Sequence, residues 1–254
     1  MKAEITVLIR MLTRWLLQVV LLTIFMFSAT IAPYDILGYT LWLPAVTDTS
    51  LASLIFIHLS KALTPSGVDL VVISPSAAFA AQVLVAFWLA LLVSLPFLLW
   101  GLLRYLAPAL RTTERRGLWY ATGALTTLIA AGVYFSYAVV SPYTIKVLYT
   151  FTTPLGVTPL LGVSELIATF AALTLVTSTM FTVPVGMVLL TRIGLLEASW
   201  WRENARYAVL GFLIISAIIT PDGTGVSMLL LSAPVTVLYG VGMIISTRVE
   251  QRTV

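Results

Sequence analysis

The 254-residue chain is 60% hydrophobic and only 9% charged, with a mean hydropathy of +1.05, whereas a soluble domain carries about 25% charged residues. Too few polar side chains exist to cover a water-facing surface, so lipid must be the main solvent, and the formal net charge of +4 tells less through its sum than through its placement. The absence of Cys excludes disulfides, thiolate metal sites and cysteine nucleophiles, and a single histidine, His58, excludes any site that needs two imidazoles.

Six stretches lack Asp, Glu, Lys, Arg and His: residues 15–32, 79–103, 117–141, 166–191, 207–220 and 228–247. Crossing the hydrocarbon core takes about 20 apolar residues, and in lipid a helix satisfies its own backbone hydrogen bonds. The sequence therefore predicts an all-α polytopic membrane protein, one integral membrane domain over residues 1–254 with six transmembrane helices, the last two short. The first stretch follows a basic start. Its length exceeds a signal-peptide core and Pro33 directly follows Ala32, so it is expected to remain as a span. The long connection 33–78 holds the apolar run Leu51 to Leu59, which is too short to span. It reads as an amphipathic helix on the outer surface, ended by Thr64-Pro65-Ser66-Gly67. Residues 142–165, with Pro142, Pro154 and Pro159, read as a second outer cap. The fifth stretch, 207–220, reaches only about 21 Å as a helix. It is either a re-entrant half-span or, as preferred here, a short full crossing that thins the bilayer. Thr220-Pro221-Asp222-Gly223 ends it as a turn.

The cationic residues set the orientation. Lys2, Arg10, Arg14, Arg104, Arg111, Arg115, Arg116, Arg192, Arg202, Arg206, Arg248 and Arg252 fall on one side of the six stretches. Only Lys61 and Lys146 fall on the other. The first side is expected to be cytoplasmic, so the protein should sit in the cytoplasmic (inner) membrane with both termini in the cytoplasm.

No ionisable residue lies in any of the six stretches, which argues against a proton pump, antiporter or voltage sensor. His58 and Lys61 stand outside the stretches with no catalytic motif around them, and no phosphate-binding glycine loop is present. Neither enzymatic activity, nor a metal, nor any other cofactor is expected. Pro96, Pro184 and Pro234 lie inside stretches. They are either ordinary kinks or the bends of a concave wall.

The second stretch and its exit read Ser94-Leu95-Pro96-Phe97-Leu98-Leu99-Trp100-Gly101-Leu102-Leu103-Arg104-Tyr105-Leu106-Ala107-Pro108-Ala109-Leu110, followed by Arg111-Thr112-Thr113-Glu114-Arg115-Arg116. An apolar span with proline, an aromatic before Ala-Pro-x-Leu and a short loop with Glu-Arg-Arg resemble the signature of the TatC family, the receptor subunit of the twin-arginine protein translocase. Further agreements follow in order: Ser74-Pro75 and Phe79; Phe135, Tyr137 and Pro142; Ser164-Glu165; Val183-Pro184-Val185; Arg206-Tyr207; and Ile219-Thr220-Pro221-Asp222. The likeness covers about residues 70–254.

The resemblance implies a concave, glove-like bundle with outer caps. It implies a non-enzymatic protein that binds the twin-arginine signal peptides of folded precursors, self-associates, and gathers single-span TatA/TatB-type subunits for export driven by the proton-motive force. Glu114 takes the place of the family's signal-contacting glutamate, with Tyr105 as an aromatic wall and Arg115 beside it. A carboxylate accepts a bidentate bond from a guanidinium that lysine does not reproduce. From the residues alone, Glu114 also reads as a neutraliser of Arg111, Arg115 and Arg116, and Tyr105 as an interfacial anchor.

The chain departs from the family at several places. Where the amino-terminal pattern is His-Leu-x-Glu-Leu-Arg, it reads Leu8-Ile9-Arg10-Met11-Leu12-Thr13, so Met11 replaces the acid. Glu4, seven residues earlier and on the same helical face, can take its place if the helix extends that far. Thr182 stands where many relatives carry a buried glutamate, Met228 where glutamine is frequent, and Tyr239-Gly240 replaces an aromatic-glutamate pair. Thr182, Pro184 and Met228 are the expected partner-subunit contacts; Pro75, Glu165 and Asp222 are expected to order the outer caps. Two other readings remain: a carrier for a small neutral solute, and a structural subunit that has lost signal recognition.

Overall fold

The computed structural model describes residues 2–28, 31–36, 39–44, 51–64, 68–72, 74–106, 115–150, 160–220 and 225–251. Helices dominate: α1 (Lys2–Ser28), α2 (Leu51–Leu63), α3 (Pro75–Leu106), α4 (Arg115–Phe135), α5 (Ser141–Thr150), α6 (Val163–Phe181), α7 (Val183–Arg192), α8 (Ala198–Glu203), α9 (Ala205–Ile219) and α10 (Val226–Glu250). Four helical segments, Ser76–Leu98, Tyr120–Thr150, Val163–Arg192 and Val226–Glu250, are long and apolar enough to cross a membrane. Shorter apolar helices run Leu12–Phe25, Leu54–Leu63 and Ala205–Ile219. The chain is a helical, multi-pass membrane protein, and it divides into two compact units.

The first unit comprises residues 1–98 and 158–171. Its centre is α3 against the start of α6. Val85, Ala86 and Ala90 are fully buried, as are Leu166, Ile167 and Phe170 within about a percent. The Trp88 ring meets Phe170 at 5.0 Å between centroids. Ser74 opens α3 by accepting the Ala77 backbone N–H on its hydroxyl at 3.2 Å, a capping arrangement that leaves Pro75 at the first helical position, where its missing N–H costs nothing. Ser164 Oγ donates to the Ala77 carbonyl at 2.9 Å, fastening the head of α6 to the head of α3. Trp15 Nε1 of α1 donates to the Ser94 carbonyl at 3.3 Å.

Two small sheets accompany these helices. β1 (Ile31–Ile36) and β2 (Tyr39–Pro44) pair antiparallel in the register Ile31↔Pro44 to Ile36↔Tyr39. α1 accordingly stops at Ser28, and Ile31 and Ala32, expected at the end of the first span, belong to a strand. β3 (Asp69–Val71) pairs parallel with β4 (Leu160–Gly162), which leads directly into α6.

The second unit comprises residues 99–157 and 172–254. Its core joins Val140, Leu173, Met180, Phe181, Met187, Trp201, Phe212, Leu231, Val235 and Tyr239. Small residues let the helices approach closely, as expected where lipid supplies no hydrophobic drive between them. A Cβ on Gly132 of α4 would lie 2.7 Å from the Ser178 Cα of α6. A Cβ on Gly242 of α10 would lie 2.8 Å from Met187 Sδ and 3.1 Å from the Pro184 Cα of α7. α9 turns Phe212 and Ser216 inward and leaves Tyr207, Leu210, Ile214, Ile215 and Ile218 exposed, an apolar face suited to lipid.

Two irregularities interrupt the spans. After α4 the backbone forms a π turn, Ser136–Val140, and the helix then continues as α5 past Pro142. Proline is tolerated in a first helical turn, so the helix runs on to Thr150, into the stretch expected to form the outer cap from 142. The buried Ser136 hydroxyl bonds Thr174 Oγ1 at 3.0 Å and lies 3.3 Å from Ser141 Oγ. The fourth span is likewise two helices rather than one kinked helix. α6 ends at Phe181, and Thr182 carries the joint, with its N–H donated to Thr179 O at 3.0 Å. Pro184 sits in the first turn of α7, where a proline belongs. Pro96 and Pro234, by contrast, lie inside continuous helices.

Candidate functional site

α3 ends at Leu106 and α4 begins at Arg115. The expected signal-binding residues are therefore at the ends of two long helices or between them. Tyr105 is the penultimate residue of α3 and Arg115 the first of α4, while Glu114 lies outside the described residues. Glu4 lies in α1, which runs unbroken from Lys2 through Met11. The helical continuity that Glu4 needs to stand in for the acid missing at Met11 is thus present in the backbone, and a seven-residue separation keeps both on one face. Arg10 and Arg14 of the same helix are exposed.

The expected partner-contact residues fall in the second unit. Thr182 at the α6–α7 joint is half-buried, and its hydroxyl donates to Thr179 O at 2.7 Å. Its one proton is spent on its own helix, leaving it as an acceptor. Pro184 is buried against the Gly242 backbone, so it holds α7 on α10. Met228 is half-buried in the first turn of α10. Of the expected cap residues, Pro75 opens α3 and Glu165 is exposed in the first turn of α6. The Glu165 carboxylate approaches Gly162, where an added Cβ would meet it at 3.3 Å. Asp222 lies outside the described residues. Among the described residues no group of acidic or His side chains could hold a metal ion.

A joint that the sequence reading passed over ties the 193–204 connection to the membrane helices. Trp201 is buried in α8; its Nε1 donates to Thr191 Oγ1 of α7 at 2.9 Å. The Tyr239 hydroxyl of α10 donates to the Trp201 carbonyl at 2.7 Å. The Ala198 N–H donates to Glu250 Oε2 at 3.2 Å, and Arg202 Nη2 to Thr247 Oγ1 at 3.0 Å. Tyr239, of the Tyr239-Gly240 pair that stands where the resemblance has an aromatic-glutamate pair, thus acts within the chain. The available signal was the pair Trp200-Trp201 in a connection beside the membrane, where tryptophans anchor. Tyr239→Phe deletes one buried bond and is expected to cost about 1 kcal/mol. The detergent-solubilised protein should melt about 2–4 °C lower; an unchanged melting curve would remove that bond from the joint.

Comparison with known proteins places this architecture. Residues 5–234 match the family model of the Sec-independent protein translocase protein, TatC. A TatC of Cenarchaeum symbiosum is 35% identical over 231 residues, covering 91% of this chain and 88% of the relative. One of Deinococcus radiodurans is 35% identical over 162 residues, 63% of this chain and 59% of the relative. The fold superposes on a crystal structure of the twin-arginine translocase receptor TatC with a TM-score of 0.77, covering 97% of this chain and 99% of that one at 20% identity. By the family match from residue 5 to residue 234 the chain belongs to the TatC family of Sec-independent protein translocase proteins.

Proposed function

We propose that this chain is the receptor core of a twin-arginine translocase, a non-enzymatic protein of the cytoplasmic membrane with six crossings and both termini in the cytoplasm. It binds the arginine pair of a signal peptide at the cytoplasmic junction of α3 and α4. It then assembles single-span subunits around the second unit, with Thr182, Pro184 and Met228 among the contacts.

The observation that carries this reading is the run Tyr105 to Arg116, which lies inside the matched family region and extends from the end of α3 to the start of α4. Glu114 is the single acidic residue between Asp69 and Glu165. Its sequence neighbours Arg111, Arg115 and Arg116 outnumber it. A signal that is to bind there must bring a donor array better than theirs, and two adjacent guanidinium groups do so by bidentate geometry. Tyr105, three residues before Pro108, offers a ring face on which a guanidinium can stack. Glu4 of α1 is proposed as a further signal-binding carboxylate.

The test is co-purification of the full chain with a twin-arginine signal peptide and with its twin-lysine counterpart. Retention of the arginine form is expected to exceed that of the lysine form by roughly tenfold or more, the worth of a charge-assisted bidentate bond. Equal retention would favour a structural subunit without signal recognition, which the methionine at position 11 otherwise suggests.

A further inference from the structure

Within the second unit, an apolar groove of about 650 Å³ runs along α10 over Val237, Gly240, Val241 and Ile244 and ends at Arg202 and Arg248. We propose that this groove is a binding site for an anionic, phosphate-headed membrane lipid, whose acyl chain lies along α10 and whose headgroup meets the two guanidinium groups.

Three observations support a lipid. The groove's length fits one leaflet. From Val237 to Arg248 is eleven residues, about 16 Å of helix, and half of the ~30 Å hydrocarbon core is about 15 Å. A membrane-crossing partner helix would instead need a track along the whole of α10, from Val226 to Glu250, but the groove ends near its middle. The chemistry is that of an amphiphile: its walls are almost wholly apolar, while one end carries two cations and the Thr247 hydroxyl.

The cations are also uncompensated. Among the described residues neither Arg202 nor Arg248 meets a carboxylate; Arg202 is instead held by Thr247 Oγ1 at 3.0 Å. Of the nearby acids, Glu250 accepts the Ala198 N–H and Glu197 the Ser199 hydroxyl, while Glu203, next to Arg202, is exposed. That bond from α8 to α10 fixes one guanidinium at the groove end before any ligand arrives, which lowers the ordering cost of binding. In the orientation set by the loop cations, this end faces the cytoplasmic leaflet, whose anionic lipids attract basic side chains at the surface. Gly240 gives the groove its floor: an added Cβ there would meet nothing within 4 Å, so the space is open to a chain.

The experiment uses the purified full-length protein in detergent, titrated with dioleoyl phosphatidylglycerol or dioleoyl phosphatidylcholine, with bound lipid counted by native mass spectrometry. Phosphatidylglycerol is expected to bind about 30-fold more tightly, the contribution of two basic side chains near an anionic headgroup. The double variant Arg202→Gln, Arg248→Gln should lose that preference, and Arg202→Lys, Arg248→Lys should keep most of it. Gly240→Leu, which fills the groove with both arginines in place, should weaken both lipids. Equal affinity for the two lipids would overturn the proposal, as would a phosphatidylglycerol preference that survives the glutamine variant. A photoreactive benzoylphenylalanine at position 244 supplies a readout in native membranes. Lipid adducts support the site, and adducts only to protein would assign the groove to a partner helix instead. None of these outcomes depends on Glu114 or on signal binding.

Discussion

Replacing Glu114 with alanine is expected to lower export of a twin-arginine precursor by about a hundredfold while the amount of protein in the membrane stays unchanged. The magnitude follows from what is lost. A charge-assisted hydrogen bond contributes roughly 1.5–3 kcal/mol, and a bidentate guanidinium–carboxylate contact comprises two parallel ones. Partial compensation by water brings the net near 3 kcal/mol, about two decades in affinity. Glu114→Gln tests the charge separately from the shape: it keeps an acceptor oxygen but no anion, and should retain at most a tenth of the binding. A second role, neutralising Arg111, Arg115 and Arg116, makes a different forecast. If that role dominated, Glu114→Ala would lower the membrane level of the chain, and adding Arg115→Gln would restore it. If binding dominates, adding Arg115→Gln restores nothing. Export by Glu114→Ala at the parental rate would remove this carboxylate from the mechanism.

Much of this architecture was legible because the bilayer restricts what a sequence can do. Stretches without charge, such as 79–103 and 228–247, coincide with the long apolar helices Ser76–Leu98 and Val226–Glu250, since lipid leaves the backbone few alternatives to a helix. The short fifth stretch coincides with α9, Ala205–Ile219. What escaped was set by details that a composition window averages away. The hairpin of β1 and β2 lay in six-residue runs rich in aromatic and β-branched residues on either side of Leu37-Gly38, a two-residue connection. Only Ile31 and Ala32 of its first run fall in the apolar stretch 15–32; residues 33–36 fall in the expected outer connection. The division of the fourth span was marked by Pro184, yet proline bends a helix or begins one, and only the neighbouring bonds at Thr182 decide. Trp201 and Tyr239 belong to different segments 38 residues apart, and no local pattern pairs them. For the proposed signal-binding residues the sequence is the more informative source, because Glu114 is singled out by its place in an ordered run rather than by a contact.

The close approach of α4 and α6 was also written in the sequence, and substituting it should produce the largest loss of stability. Gly132 of α4 and Ser136, the first residue of the π turn that continues it, stand four apart; Thr174 and Ser178 stand four apart on α6. Gly132 faces Ser178, and Ser136 bonds Thr174 at 3.0 Å, so two small-xxx-small faces meet in antiparallel order. A side chain at position 132 has nowhere to go. Its Cβ would fall 2.7 Å from the Ser178 Cα and 3.2 Å from both the Ser178 N and the Phe181 ring, and the first of these is backbone that moves only with the whole helix. Gly132→Ala is therefore expected to cost about 1–3 kcal/mol, as overpacking does, despite the usual helical advantage of alanine over glycine of about 1 kcal/mol. Gly132→Leu should prevent recovery of folded protein. Gly123 serves as the internal control: it lies on the same helix with nothing within 4 Å of an added Cβ, and Gly123→Ala should leave the melting temperature equal or higher. A Gly132→Ala protein as stable as Gly123→Ala would mean that α4 and α6 can separate without penalty. The Ser136–Thr174 bond would then have to stretch with them, which a matching loss on Ser136→Ala in the parent, but not in the Gly132→Ala background, would reveal.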